Sequence, residues 1–216
     1  ILLTIDTPDG ARKLLFTGDL GRVDMPIIRD PEKVHQADYL ICESTYGNRV
    51  HERVEELEED LAKIITRTAK RGGKVFIPCF ALERTQEIIL RLEALMNGKK
   101  IPNLKMYIDS PLATKLTAIF EKHPEYYDEE MLRRYKENPN IFSFRNLTFI
   151  ESVGESKALN DMHVPAIIIA GSGMAESGRI RHHLRNNIDD PRHTILIVGY
   201  QAEETLGRKL VEGYKA

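Results

Sequence analysis

Residues 74–96 of the 216-residue chain, KVFIPCFALERTQEIILRLEALM, contain the pattern that decides the fold. The mostly apolar run Lys74–Pro78 predicts a buried strand, and apolar residues at helical spacing predict a helix over Glu83–Met96. A short apolar strand followed directly by a helix is the repeating unit of α/β proteins. The segment from Phe80 to Gln86, which follows this strand and opens the helix, therefore lies where such proteins place ligands and catalytic groups.

The same alternation continues on both sides of this unit. Ile1–Ile5 and Arg12–Phe16 flank the turn Thr7-Pro8-Asp9-Gly10 and predict a hairpin. The other predicted strands are Asp38–Cys42, Lys105–Ile108, Leu147–Ile150, Ala166–Ala170 and His193–Val198, and the other predicted helices are Glu52–Arg71, Leu112–Glu121, Glu125–Glu137, Ser156–Asn160, Glu176–Asn187 and Glu204–Glu212. This pattern predicts an α/β fold, with a mostly parallel sheet covered by helices on both faces.

Composition narrows the class of protein. The chain is 42% hydrophobic and 30% charged, as in ordinary globular domains, and no stretch approaches the roughly 18 apolar residues of a membrane span. The net charge of −2 means that nucleic-acid binding would depend on a local cleft and not on the overall field. Cys42 and Cys79 lie in apolar runs, which favours buried free thiols in a reducing cytoplasm over a disulfide.

Two carboxylates end two of the predicted strands. Asp19 follows Leu14-Leu15-Phe16, and Glu43 follows Tyr39–Cys42. Both acids lie where a buried strand gives way to a turn, so the leading interpretation is a metal site or an acid/base site.

The seven histidines do not complete such a site. No pair has HxH, HExxH or HxxxH spacing, and the adjacent His182 and His183 point about 100° apart on a helix, so they are surface or packing residues. The remaining histidines are scattered and receive no role: His35, His51, His123, His163 and His193.

Two further loops contain small polar residues and are predicted to open helices. They are Asp109-Ser110-Pro111 and Gly171-Ser172-Gly173-Met174. Free backbone N–H groups at a helix start attract anions, most often phosphate. Asp109-Ser110-Pro111 equally fits a helix N-cap with proline at the first helical position, which requires no ligand.

Five ordered motifs together resemble the β-CASP branch of the metallo-β-lactamase superfamily over nearly the whole chain. That family contains RNA-processing nucleases and a separate DNA-repair branch. The motifs are FTGD at 16–19, ESTYG at 43–47, PCFALERTQE at 78–87, AGSGM at 170–174 and GYQAEETLGR at 199–208.

The resemblance implies roles for individual residues. Asp19 matches the aspartate that bridges two zinc ions, and Glu43 matches the catalytic-site acid that orients a metal-bound histidine. Glutamate at position 43, where the DNA-repair branch has aspartate, favours RNA as substrate. Two groups of residues would contact the phosphate backbone: the loop Ser172, Gly173 and Met174, and the further residues Arg84 and Ser110. Arg84 equally fits a structural ion pair.

The resemblance also implies an organisation. Residues 1–45 would end the first half of the lactamase-like domain, and residues 46–216 would form the β-CASP domain that caps its cleft. The histidine motifs of the zinc site are expected outside this chain, so the chain alone is expected to be inactive and to bind zinc weakly. Glu83 and Glu204 stand where relatives often have glycine.

The expected function is therefore that of a zinc-dependent ribonuclease, with two zinc ions in the complete enzyme. RNA is the expected binding partner, and no membrane association is expected. Formation of a homodimer is left open. Two alternatives remain: a non-catalytic RNA-binding or assembly module, and a DNA nuclease of the same superfamily.

Overall fold

The computed structural model describes residues 1–48, 50 and 54–213 and contains two sheets. The first sheet has the order β1 (Leu2–Thr7), β2 (Gly10–Phe16) and β3 (Tyr39–Ile41). Strands β1 and β2 pair antiparallel up to Thr7 and Gly10, which confirms the predicted hairpin. Strand β3 pairs parallel to β2.

The second sheet has five strands, and every strand pair in it is parallel. Its strands, in spatial order, are β6 (Leu147–Phe149), β5 (Lys105–Asp109), β7 (Ala166–Ala170), β4 (Val75–Pro78) and β8 (Thr194–Ile195), which confirms the predicted α/β class. Its elements, in chain order, are α1 (Val54–Lys70), β4 (Val75–Pro78), α2 (Arg84–Asn97), β5 (Lys105–Asp109), α3 (Pro111–Lys122), α4 (Glu129–Glu137), β6 (Leu147–Phe149), α5 (Val153–Asp161), β7 (Ala166–Ala170), α6 (Gly178–Asn187), β8 (Thr194–Ile195) and α7 (Leu206–Glu212).

Helices cover both faces of this sheet. Successive residues of a strand point to opposite sides, so one strand contributes side chains to the cores on both faces. Val75 and Ile77 of β4 pack in one core cluster, which also contains residues of α1 and α2. Phe76, between them, packs in a second cluster together with residues of α5 and α6. Buried on both faces, β4 and β7 are continuously apolar instead of alternating.

The single helix predicted over Glu125–Glu137 is wrong, since the chain forms a 3-10 turn at Pro124–Tyr126 and then α4. Tyr127 lies buried between them and donates a hydrogen bond from its hydroxyl to the Phe120 carbonyl at 2.6 Å. Asp128 then caps α4 by accepting from the Met131 N–H at 2.6 Å. Tertiary burial of the tyrosine thus interrupts a sequence with good helical spacing.

Other predicted boundaries shift by a few residues. The last strand is two residues long and not His193–Val198. The last helix begins at Leu206 and not at Glu204, because the Thr205 hydroxyl caps it by accepting from the Arg208 N–H at 3.2 Å. Glu52, the predicted start of α1, and His51 lie outside the described residues.

The prediction that both cysteines are buried is confirmed for Cys79 and wrong for Cys42. Cys79 is buried and free, and its burial raises the pKa of the thiol to about 11. Cys42 is exposed, because it follows β3, whose three residues are all exposed in this chain. Across the part of the chain that the structure describes, no helix is both long and apolar enough to span a membrane.

A segment between β2 and β3 attaches to the main body. Ile27 is buried in the larger core cluster, and Ile28 forms a β-bridge with Tyr127. The Arg29 N–H donates to the Tyr126 carbonyl at 3.2 Å. We call Ile27–Arg29 and its contacts with the turn before α4 the strap.

Both positions where the resemblance leads us to expect glycine have a positive φ angle, 61° at Glu83 and 67° at Glu204. At Glu83 the Arg84 N–H donates to the Leu82 carbonyl at 2.7 Å, which forms a γ-turn of the rare positive-φ kind. Glycine adopts such angles at little cost, whereas other residues are strained. The two departures noted in the sequence are therefore positions of backbone strain.

We expect Glu204→Gly to raise the free energy of unfolding by about 1 kcal/mol, because it removes this strain. The adjacent Glu203 is also exposed but is not among the residues with positive φ. Glu203→Gly should therefore lower the free energy of unfolding by roughly 0.5 kcal/mol, through the added flexibility of the unfolded chain. Chemical denaturation measures the change in the free energy of unfolding for both variants. Equal changes in the two variants would contradict the assignment of strain to Glu204.

Candidate functional site

Three strands of the main sheet end at the same level. Ala170 of β7 pairs in register with Pro78 of β4 on one side and with Asp109 of β5 on the other. The three loops that follow therefore start side by side at the carboxyl edge of the sheet. A Cβ built on Gly171 would lie 3.7 Å from the Ser110 Oγ, which shows how closely two of these loops approach.

The loop after β7 forms a turn of its own before α6 begins at Gly178, two residues after the predicted helix start at Glu176. The Ser172 N–H donates to the Ser177 carbonyl at 3.2 Å, and the Ser172 Oγ accepts from the Ser177 N–H at 3.3 Å. Among the described residues, the N–H groups of Gly173 and Met174 have no acceptor. These two groups, with the Ser172 hydroxyl, are what the loop offers to an anion.

Gln201 belongs to the last of the five motifs, GYQAEETLGR at 199–208, and its contacts show the structural role of that motif. Its side chain is 6% exposed, and its Nε2 donates to the Gly173 carbonyl at 2.9 Å and the Tyr200 carbonyl at 2.8 Å. The Gly207 N–H donates to the Met174 carbonyl at 3.0 Å. The segment 199–208 therefore fixes the backbone of the loop after β7 from one side.

Ser110 and Arg84 both have structural partners. The Ser110 Oγ accepts from the Ala113 N–H at 3.2 Å and caps α3, whose first residue is Pro111, so the N-cap alternative is confirmed. Arg84 forms an ion pair with the buried Glu87, with 2.5 Å between Nη1 and Oε2. A phosphate contact for either residue stays a prediction.

Asp109, at the same edge of the sheet, has a structural role that was not predicted from the sequence. It is 0% exposed and accepts three hydrogen bonds of 2.6 Å, from Ser156 on α5 and from Arg179 and His183 on α6. Burial raises the pKa of Asp109, but the hydrogen bonds from His183, Ser156 and Arg179, together with the electrostatic effect of His183, outweigh it and hold the pKa below its usual value. His183 is thus a packing residue, as predicted.

Arg179 extends this network to the end of β6. Its guanidinium donates to the Ile150 carbonyl at 3.1 Å and the Glu151 carbonyl at 2.7 Å. Ser110 directly follows Asp109, and α6 follows the loop that contains Ser172. The buried carboxylate therefore fixes two of the three loops relative to each other.

Asp19 and Glu43 lie together at the carboxyl edge of the smaller sheet, where Phe16 of β2 pairs with Ile41 of β3. One Glu43 oxygen accepts from the Leu20 N–H at 2.7 Å and the other from the Thr45 hydroxyl at 2.8 Å. These bonds, that from Leu20 first, lower the pKa of Glu43, so it is ionised at neutral pH. Asp19 is exposed.

This arrangement does not complete a zinc site. Within residues 1–48, 50 and 54–213 no three His, Cys, Asp or Glu side chains are close enough together to hold a metal ion. Each Glu43 oxygen already accepts one hydrogen bond, whereas the Asp19 side chain is exposed to solvent.

The fold defines an α/β protein whose loops meet at the carboxyl ends of a parallel sheet, the edge where proteins of this class usually bind ligands. The model of the Beta-Casp domain matches residues 85–210, more than half of the chain. The chain therefore belongs to the β-CASP family, as its five motifs predicted.

Similar proteins come from bacteria, archaea and eukaryotes. The chain is 36% identical over 200 residues to Ribonuclease TTHA0252 of Thermus thermophilus, covering 93% of the chain and 46% of that protein. It is 35% identical over 212 residues to the transcription termination factor FttA of Methanocaldococcus jannaschii, covering 96% and 33%. It is 34% identical over 206 residues to the endoribonuclease ysh1 of Schizosaccharomyces pombe, covering 91% and 26%. The chain thus spans less than half the length of these relatives.

We expect Arg179→Met to lower the free energy of unfolding by about 3–5 kcal/mol, because it leaves the Asp109 carboxylate buried without its cation. Arg181→Met, on the same helix, removes an exposed arginine whose bond goes to the Glu176 carbonyl. This control should change the free energy of unfolding by no more than about 0.5 kcal/mol. Similar losses of unfolding free energy in the two variants would show that the ion pair with Asp109 stabilises the protein no more than an exposed arginine does.

Proposed function

We propose that the protein containing this chain is a metal-dependent ribonuclease that hydrolyses RNA phosphodiester bonds in RNA processing or decay. The carboxyl edge of the main sheet holds the RNA backbone, and the edge of the smaller sheet contributes to the cleavage site. The observation that carries this proposal is the convergence of the Ser110 and Ser172 loops at one edge, in a member of the β-CASP family.

The chemistry of the loop after β7 supports an anionic ligand. The N–H groups of Gly173 and Met174 lack acceptors among the described residues, and the Ser172 hydroxyl is able to donate while its oxygen accepts from Ser177. Hydrogen bonds from such donors to an anionic oxygen are about twice as strong as neutral ones. A phosphate of the RNA backbone satisfies all three donors without any dependence on the base.

For the smaller sheet we propose Asp19 as one ligand of a zinc centre and Glu43 as the acid that orients another ligand. The hydrogen bonds that keep Glu43 ionised fit an orienting role, since a carboxylate accepts the N–H of a metal-bound histidine. Asp19 is the one ligand for such a centre that the described residues supply. RNA, and not DNA, is the proposed substrate because relatives named as ribonucleases match the chain over most of its length.

Replacing Asp19 by Ala in the whole protein should abolish cleavage of single-stranded RNA, because one metal ligand is lost. Asp6 on β1 offers a matched control, since it is also an exposed carboxylate of the smaller sheet, and Asp6→Ala should retain full activity. The assay uses end-labelled RNA and a DNA strand of the same sequence. Full RNA cleavage by the Asp19 variant, or equal cleavage of the DNA, contradicts the proposal.

Ser172→Ala should weaken RNA binding by about tenfold, because a hydrogen bond to a charged oxygen contributes roughly 1.5 kcal/mol or more. Ser177→Ala is the matched control, since the Ser177 hydroxyl makes no capping bond to α6 and its backbone contacts to Ser172 persist. Fluorescence anisotropy of labelled RNA measures both dissociation constants. An unchanged affinity in the Ser172 variant would remove this loop from the proposed RNA site.

A further inference from the structure

Phe80 lies at the start of the loop after β4, next to the anion-binding groups of the loop after β7. Its side chain is 43% exposed, whereas Cys79 before it is 2% exposed. A single exposed apolar residue needs no explanation in itself. Phe80 differs from such residues in what supports its ring.

The ring rests on the backbone of two glycines. A Cβ built on Gly173 would lie 2.5, 2.6 and 2.9 Å from the Phe80 ring atoms Cδ2, Cε2 and Cγ, and one built on Gly199 would lie 3.8 Å from Cε2. No side chain fits between Gly173 and the ring, whereas a Cβ on Gly199 would make an ordinary van der Waals contact with it. Gly173 is therefore glycine because the aromatic ring occupies the space of a side chain.

Hydrogen bonds fix the backbone of Phe80 and the backbone of the loop on which its ring lies. The Thr85 hydroxyl donates to the Phe80 carbonyl at 2.6 Å, and the Gln86 side chain donates to the Ala81 carbonyl at 3.2 Å. On the other side, Gln201 binds the Gly173 carbonyl. The backbone that positions the ring is thus held in place before any ligand arrives, which reduces the entropy cost of binding.

Two further aromatic side chains, one of them next to Gly199 in the chain, contact each other. Tyr200, next to Gly199, meets Tyr46 edge to face with 5.7 Å between ring centroids. Tyr46 follows Glu43 by three residues. Aromatic side chains therefore occur both at the loop that offers N–H groups to phosphate and near Glu43.

We propose that Phe80 is a stacking platform for one nucleobase of a bound RNA strand, an inference that rests on the proposed RNA-binding function. Proteins that bind single strands combine backbone contacts with aromatic rings on which bases stack. Stacking accepts any base, so Phe80 contributes affinity without selecting a sequence. This neutral contact suits a loop where Arg84 is paired with Glu87 and Glu83 adds a negative charge.

The test compares RNA that contains all its bases with RNA that lacks one. The probes are a labelled adenosine octamer and eight versions with a single abasic residue, one for each position. All variants carry Asp19→Ala, so that the RNA stays intact, and binding is measured by fluorescence anisotropy. Phe80→Leu keeps an apolar side chain on Gly173, whereas Phe80→Tyr keeps the aromatic ring.

Phe80→Leu should bind the intact octamer about 5- to 150-fold more weakly, the range expected for one stacked base at about 1–3 kcal/mol. With the octamer that is abasic at the stacked position, Phe80→Leu should bind as well as the parent. Phe80→Tyr should retain the parent's affinity for both probes. Leu82→Ala, a change at a 58% exposed apolar residue of the same loop, should have no effect.

Three outcomes overturn the proposal. An unchanged affinity of Phe80→Leu for the intact octamer excludes stacking, and an equal loss for the intact octamer and all abasic octamers assigns the effect to loop packing. A parent protein that binds none of the probes overturns the proposed RNA-binding function itself. Because the first two outcomes require a parent that binds RNA, failure of the stacking role and failure of the function are distinguishable.

Discussion

The hydrogen-bonded register of three parallel strands is the constraint on which the rest of the molecule depends. Ala170 of the central strand pairs with Pro78 on one side and Asp109 on the other, so all three strands stop at one level. The register also places strand residues alternately in two separate cores. A shift by one residue would exchange the faces of a strand and separate the loops. Packing and site geometry therefore have one origin.

Buried polar groups transmit this constraint to the loops. Asp109, the last residue of β5, bonds to Ser156, Arg179 and His183, and so holds α5 and α6 against the strand end. Gln201 holds the backbone of the loop after β7 in a similar way. A carboxylate or amide buried without partners costs several kcal/mol, so these bonds allow few alternative loop positions. The groups available to a ligand are consequently few and fixed.

Much of this fold was predictable from local patterns, whereas the contacts that fix the site were not. Apolar runs and turn residues located the strands, and the Ser110-Pro111 pair correctly indicated a helix cap. The break before α4 was missed because it depends on the burial of Tyr127, which helical spacing does not reveal. The role of Asp109 was missed because its partners lie 47 to 74 residues away in the chain. Long-range pairs of this kind leave no periodic signal in one sequence.

The strap has a mechanical consequence for the two sheets. The segment that contains the smaller sheet touches the main body through the strap at Tyr126–Asp128 and through the edge-to-face contact of Tyr46 with Tyr200. At the strap, the segment places Ile27, which is 1% exposed, in the larger core cluster of the main body. Separating the smaller sheet from the main body at the strap would therefore expose this apolar side chain to water, which opposes the separation.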